Sequence, residues 1–375
     1  MKILTIDDQT LILLSLEKKL SELGYEVITA KTGGEGIELF DIEKPDLVIV
    51  DINLPKMSGL DIVKYIKEAA IATKVMIMSG DTQEDTILKG FKLGIDDYMK
   101  KPVSLNEVVA RVKKLIGTPT IKNIPEESNG LIREKCIGVV IPCYNEEDRL
   151  LSDEFTAFVY ANVGYHLCFV NDGSTDKTLE VLNKLSEGRE DYISVYNCEK
   201  NGGKAEAVRQ GVLHLAQNSE LDYIGFLDAD LSTDFQDFDD LVKTIETTKY
   251  KIVSGSRISR MGANITKQSA RQIISLTINY IIRKILGMNF KDTQCGAKII
   301  DKDVIPILFN DKFITRWLFD VEMFLRMKKH FGEKAKSFIC EQPLKRWIHA
   351  DGSKLSMRDS LKIAFQLTKI ATHYR

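Results

Sequence analysis

Three short stretches hold carboxylates at spacings that chemistry can use: KILTIDD at residues 2–8, DLVIVDINLPK at 46–56 and GFLDADLSTD at 225–234. Each acidic group follows an apolar run, so each stands where a strand leaves its sheet. Like charges gathered there are costly unless water, a basic side chain or a cation takes them up. Around the first two stretches, Asp7, Asp8 and Asp51 would converge with Ser79, which ends KVMIMS, and with Lys101-Pro102, which follows DDYMK. Three carboxylates suit Mg²⁺, which takes oxygen ligands; metal and lysine would together neutralise a phosphoryl group arriving on one carboxylate. In the third stretch Asp228 can serve a ribose or the cation. Asp230 can hold Mg²⁺ or Mn²⁺ bridging a diphosphate, a leaving group whose developing charge a metal stabilises.

The elements that must position these groups form two alternating series. Over residues 1–117, KILTI, EVITA, DLVIV, KVMIM and DDYMK read as strands, with amphipathic helices such as LILLSLEKKLSELG and GLDIVKYIKEAA between them. That alternation predicts a parallel sheet covered on both faces, with ligands at the carboxyl ends of its strands. Residues 118–134, with prolines and a Ser-Asn-Gly, read as a linker. A second α/β domain is expected over 135–355, with CIGVVIP, HLCFVND, YISVYN, YIGFLDAD and KIVSGS as strands. Here Asp172 ends the second strand and can accept hydrogen bonds from a base or ribose. The Gly-Ser-Thr turn after it can cap a helix, and NGGK opens another helix with Lys204 near its start. Residues 356–375 read as an amphipathic helix, with Ile363, Leu367, Ile370 and Tyr374 on one face and Arg358, Lys362, Lys369 and Arg375 around it. It suits an anionic membrane surface, or docking onto the catalytic domain or a dimer partner.

The bulk numbers exclude several classes. The 375 residues suit two or three domains at about 100–200 residues each. A formal net charge of -2 gives no global pull toward nucleic acid. The six cysteines lack metal-ligand spacing and read as reduced, buried thiols of a cytoplasmic protein. No signal-peptide pattern opens the sequence, and no uncharged apolar run approaches the ~20 residues of a membrane span.

The first half resembles a response-regulator receiver domain, a (βα)5 flavodoxin-like fold, on the strength of DINLPKMSGLD and the residues around it. The resemblance implies that Asp51 is phosphorylated and that Asp7, Asp8, Asp51 and the Asn53 carbonyl hold Mg²⁺. It implies that Ser79 and Lys101 contact the phosphoryl group, that Tyr98 changes rotamer with Ser79, and that Lys101-Pro102 is cis. A sensor histidine kinase or phosphotransfer protein would be the partner. The face of the fourth helix, fifth strand and fifth helix would then change its contacts, with the transferase half or with a second receiver in a homodimer.

The second half shows no helix-turn-helix pattern. It resembles the family 2 glycosyltransferases of the GT-A nucleotide-diphospho-sugar fold, because PCYNEE, VNDGSTDKT, NGGKAEAVRQG, DADLST, SGSR, DTQCGAK and RWLFDVE follow in that family's order. The set is similar to the branch that moves glucose or mannose onto polyprenyl (dolichyl-type) phosphate. By that resemblance Pro142, Tyr144, Glu146, Asp172, Lys204 and Asp228 hold the nucleotide sugar, and Asp228 and Asp230 the metal-diphosphate. Arg257 and Arg271 face donor and acceptor phosphates, and Ser353 and Lys354 contact a phosphate. Asp320 and Glu322 of FDVE stand as base or as structural groups. A phosphate acceptor, with a second pKa near ~6, arrives ionised and needs cations rather than a base.

The expectation is a cytoplasmic, phosphorylation-regulated, inverting hexosyltransferase using UDP-glucose or GDP-mannose, with peripheral contact at the inner membrane face. The rivals are a non-catalytic nucleotide-sugar-binding adaptor in a phosphorelay, and a nucleotidyltransferase. The latter would place a glycine-rich, lysine-bearing loop where PCYNEE stands.

Overall fold

The structure, a computed structural model, describes residues 1–80, 84–119, 131–132, 135–257, 264–265, 280–347 and 357–374. The chain divides into two compact units: Met1–Cys136 with Thr156–Tyr165, and Ile137–Phe155 with His166–Arg375.

The first unit is built on a five-stranded parallel sheet of β1 (Lys2–Ile6), β2 (Glu26–Ala30), β3 (Leu47–Val50), β4 (Lys74–Ser79) and β5 (Asp97–Lys100), in the order β2-β1-β3-β4-β5. All four residues of β3 are buried, as a strand covered on both faces requires. Successive side chains point to opposite faces, so each strand feeds two cores. Ile49 packs with Leu16, Leu20, Val108 and Val112, whereas Val48 and Val50 pack with Phe40, Ile62 and Ile66. These partners lie on α1 (Thr10–Glu22), α2 (Gly33–Glu43), α3 (Gly59–Ala69) and α5 (Leu105–Ile116); α4 (Glu84–Lys92) completes the set. Thr32, Ser58 and Ser104 cap α2, α3 and α5 through their side-chain oxygens. The Lys101-Pro102 peptide is cis. Within the stretch whose composition marks a linker, β7 (Leu131–Ile132) pairs antiparallel with β6 (Val103–Ser104).

The second unit holds a seven-stranded sheet. The five expected strands appear as β8 (Cys136–Cys143), β9 (Tyr165–Asp172), β10 (Ile193–Cys198), β11 (Leu221–Leu227) and β12 (Ile252–Ser256). A two-residue β13 (Asn264–Ile265) pairs with β16 (Arg346–Trp347) apart from it. The expectation named neither β14 (Ala297–Asp301) nor β15 (Ile339–Pro343), which complete the order β10-β9-β8-β11-β14-β12-β15. β14 runs antiparallel to both β11 and β12, so this sheet is mixed. AKIID carries no mark of direction; its orientation follows from the side on which the chain re-enters the sheet.

Four helices, α6 (Ser152–Ala161), α7 (Thr178–Ser186), α8 (Lys204–Ala216) and α9 (Phe235–Thr247), follow β8, β9, β10 and β11. The expected Gly-Ser-Thr cap of α7 is replaced. Asp176 accepts from Thr178 N at 3.0 Å, and Ser174 and Thr175 instead bond Asn145. The helix Phe319–Phe331 closes the core, with Phe319 against Phe226 of β11. The last helix, Met357–His373, buries Leu367 and Ile370 and leaves Phe365 exposed. None of the six cysteines is disulfide-bonded. Among the described residues, no helix is long and apolar enough to cross a membrane.

Candidate functional site

In the first unit β1, β3, β4 and β5 lie side by side and end at one edge, so the groups that follow them meet. Asp7, Asp8 and Asp51 each offer a carboxylate oxygen within 4.8 Å of the others. Lys101, fully buried, donates to Asp7 Oδ2 at 2.8 Å and to Asp51 Oδ2 at 2.7 Å. Burial pushes the Asp7 carboxyl up to about 6; Lys101 opposes this and the Asp51 charge adds to it. Burial alone would lower Lys101, but Asp7 and Asp51 hold its ammonium well above the usual lysine range. Three carboxylates facing one ammonium leave an excess of negative charge beside oxygen donors, and these residues fit Mg²⁺. Asn53, exposed, donates its backbone N–H to Asp51 Oδ1 at 3.0 Å, which fixes the loop bearing its carbonyl. Ser79 is buried at the end of β4, and Tyr98 lies half-buried on β5 opposite Ile77.

In the second unit the chain leaves β11 at Leu227 and reaches Asp228, partly exposed, and Asp230, exposed. Leu231 then takes a left-handed conformation at φ 48°, a costly state for a branched side chain, and one that marks a site held by its surroundings. Gly296 explains where Asp228 lies: a Cβ there would stand 1.9 Å from Asp228 Oδ2, so the carboxylate occupies the space a side chain would fill. Lys204, the first residue of α8, bonds Asp228 Oδ1. Burial pushes Glu146 above its ordinary range; Arg149 opposes, and the charges of Asp230, Asp176 and Asp228 add to it. Glu146 follows β8, and Asp228 and Asp230 follow its neighbour in the sheet, β11. Burial raises Asp172, against the Gly202 and Gly203 N–H groups, which donate to its two oxygens at 2.8 and 2.9 Å. Asp172 thus braces the NGG turn with the oxygens that the sequence offers to a nucleotide. Tyr144 is exposed beside Asn145, whose φ is 53°, and Pro142 is half-buried at the end of β8.

Residues 3–113 match the response regulator receiver domain, and residues 138–307 match glycosyl transferase family 2. A dolichyl-phosphate beta-glucosyltransferase of Trichomonas vaginalis is 32% identical over 253 residues, 64% of this chain and 74% of that protein. The chain belongs to glycosyl transferase family 2. Its Drosophila melanogaster relative, also a dolichyl-phosphate beta-glucosyltransferase, is 32% identical over 235 residues, 59% of this chain and 69% of that one. The first unit is a receiver domain; over 136 residues it is 38% identical to the Bacillus subtilis regulatory protein PhoP, covering 35% of this chain and 57% of PhoP. The architecture agrees: a CheY-like five-stranded parallel sheet, then an α/β unit consistent with the GT-A fold.

In the transferase unit Arg257 is held by Asp292, the first residue of DTQCG. Its backbone N, Nε and Nη2 donate to that carboxylate at 2.9, 2.7 and 2.9 Å. Burial alone would raise Asp292, but Arg257 holds it down at about 2. Glu341 of β15 in turn accepts from Asp292 N, Lys291 N and Ser256 Oγ. Sequence reading missed Glu341, because its partners are contributed by chain about 50 and 85 positions away. Arg257 also feels the Asp228 charge, and Asp292 holds the cation in place. The FDVE carboxylates part company. Glu322, fully buried, accepts from Ile314 N, Thr315 N and Thr315 Oγ1 at 2.9, 3.0 and 3.0 Å. Asp320, buried, pairs with Lys298 at 2.6 Å. Burial raises the Asp320 carboxyl, with Lys298 opposing. Arg271, Ser353 and Lys354 lie outside the described residues.

Proposed function

We propose that this family 2 glycosyltransferase moves a hexose from a nucleotide sugar to a polyprenyl phosphate, with inversion, under control of phosphorylation at Asp51. The observation that carries the acceptor is the state of FDVE. A sugar hydroxyl needs a general base, yet Glu322 is committed to three donors and Asp320 to Lys298. A phosphate acceptor arrives already ionised and asks only for cations. The lipid acceptor of the dolichyl-phosphate relatives points the same way.

On this reading Asp228 and Asp230 hold Mg²⁺ or Mn²⁺, which would offset the charge growing on the departing nucleoside diphosphate. The protein's own share is positional. Gly296 leaves room for Asp228, Asp292 orients Arg257, and Lys204 neutralises Asp228. Phosphorylation of Asp51 by a kinase or phosphotransfer protein would place a dianion beside Lys101 and Mg²⁺. Ser79 and Tyr98 would then shift, altering the contacts of the α4-β5-α5 face. The exposed Phe365 on the last helix supports peripheral attachment where the lipid acceptor resides.

The test is transfer of label from UDP-glucose and GDP-mannose to polyprenyl phosphate in detergent, with Asp230→Ala as control. Label in the organic phase, lost in the control, is the expected result, and its rate should change after phosphorylation of Asp51 by acetyl phosphate. Donor binding with no transfer to lipid would remove the acceptor; an unchanged rate on phosphorylation would remove the regulation.

A further inference from the structure

Between the helices Ile305–Phe309 and Phe319–Phe331 lies a loop held by an unusual number of buried polar groups. Arg326, 8% exposed, donates to the carbonyls of Leu308, Asp311 and Lys312, and its Nε to Tyr374 Oη at 3.0 Å. Arg209 of α8, also buried, donates to Asn310 O at 2.8 Å. Glu322 takes the N–H groups of Ile314 and Thr315, and Thr315 Oγ1 accepts from Leu318 N at 3.1 Å. Buried charged groups are retained at a cost in desolvation, and these three together immobilise one short loop. At its tip stand two exposed residues, Arg316 and Trp317.

Arg316 does not point to open solvent alone. Its carbonyl accepts from Ala205 N at 3.3 Å, which fastens the loop to the start of α8. Its side chain lies over Gly203, where a Cβ would meet Arg316 Cδ, Cβ and Cγ at 3.2 to 3.3 Å. Gly203 also has φ 85°, so only glycine is at ease there on two counts. The guanidinium charge reaches Asp172, which braces the same turn, and Lys204, the residue after Gly203, bonds Asp228. Among the described residues the Arg316 side chain makes no hydrogen bond or ion pair. A planar cation carried on a rigid loop, beside the acidic edge and with no hydrogen-bond partner among the described residues, is pre-organised for an anion.

We infer that Arg316, the first residue of RWLFDVE and one to which the sequence reading gave no role, binds the diphosphate of the donor nucleotide. The inference rests on the donor reading above. The test is calorimetric titration of the full chain with UDP, GDP and the nucleosides uridine and guanosine, in Mg²⁺, for the unaltered chain, Arg316→Ala and Arg316→Lys. Arg316→Ala is expected to weaken the preferred nucleoside diphosphate about 10- to 100-fold, the range of a lost charge-assisted hydrogen bond. Arg316→Lys should lie between, and nucleoside affinity should change less than about twofold, because a nucleoside carries no diphosphate. Equal binding of the diphosphate by Arg316→Ala and the unaltered chain overturns this inference alone. So does an equal loss for diphosphate and nucleoside, which would assign Arg316 to the fold of the site. Failure of the unaltered chain to bind either diphosphate removes the donor reading and this one with it.

Discussion

Asp292→Asn removes a charge while keeping shape, and the structure sets what that should cost. Asp292 receives three hydrogen bonds from Arg257 and is held at about 2 against an ordinary 3.8. That gap corresponds to about 2.4 kcal/mol favouring the charged form in the folded protein. Breaking a fully buried pair costs more, about 3–5 kcal/mol. The Arg257 side chain is 28% exposed, so water recovers part of that penalty. The expected loss is about 2–3 kcal/mol at pH 7. The folded-state pKa is depressed, so this stabilisation is complete above pH 4 and drains away as pH falls through 2. At pH 3 about 1.3 kcal/mol should remain. Urea unfolding followed by tryptophan fluorescence isolates the effect, because both tryptophans, Trp317 and Trp347, belong to the transferase unit. A gap between the two proteins that is absent at pH 7, or unchanged from pH 7 to pH 3, would refute the reasoning.

Two further outcomes follow from the same geometry. Gly296→Ala places a methyl 1.9 Å from Asp228 Oδ2, so the short acidic side chain must turn away. Transfer should fall about 100-fold, the scale of an ångström's misplacement, with little change in the urea midpoint; a variant with full activity would contradict the cradle. Lys101→Met leaves Asp7 and Asp51 buried without their cation. The receiver unit should lose about 3–5 kcal/mol in chelator, measured by calorimetry. Mg²⁺ should restore part of it, and a melting profile indifferent to Mg²⁺ would count against a metal at these carboxylates.

Much of the site could be read in the chain because its parts are local. Asp7, Asp8, Asp51, Ser79 and Lys101 each close or follow an apolar run, and a parallel sheet brings such ends to one edge whatever the loops between them. Asp228 and Asp230 were legible for the same reason. Asp172 and Glu322 were legible as acidic residues but not in their use. Their hydrogen-bond donors sit 30 and 31 positions away for Asp172, and on a loop that folds back for Glu322. The Gly-Ser-Thr turn looked like a cap and became a clasp on Asn145, since an adjacent loop competes for the same groups.

By itself the sequence determined two α/β units, the succession of most strands along the chain and the acidic ends of those strands, because period and turn chemistry act over a few residues. Only the tertiary structure decided the reversed direction of β14, the Glu341–Asp292–Arg257 chain and the anchoring of the Arg316 loop by Arg209, Glu322 and Arg326. Those depend on which distant segments come to share one low-dielectric space. There each charge takes the partner that geometry offers, and no local pattern names that partner in advance.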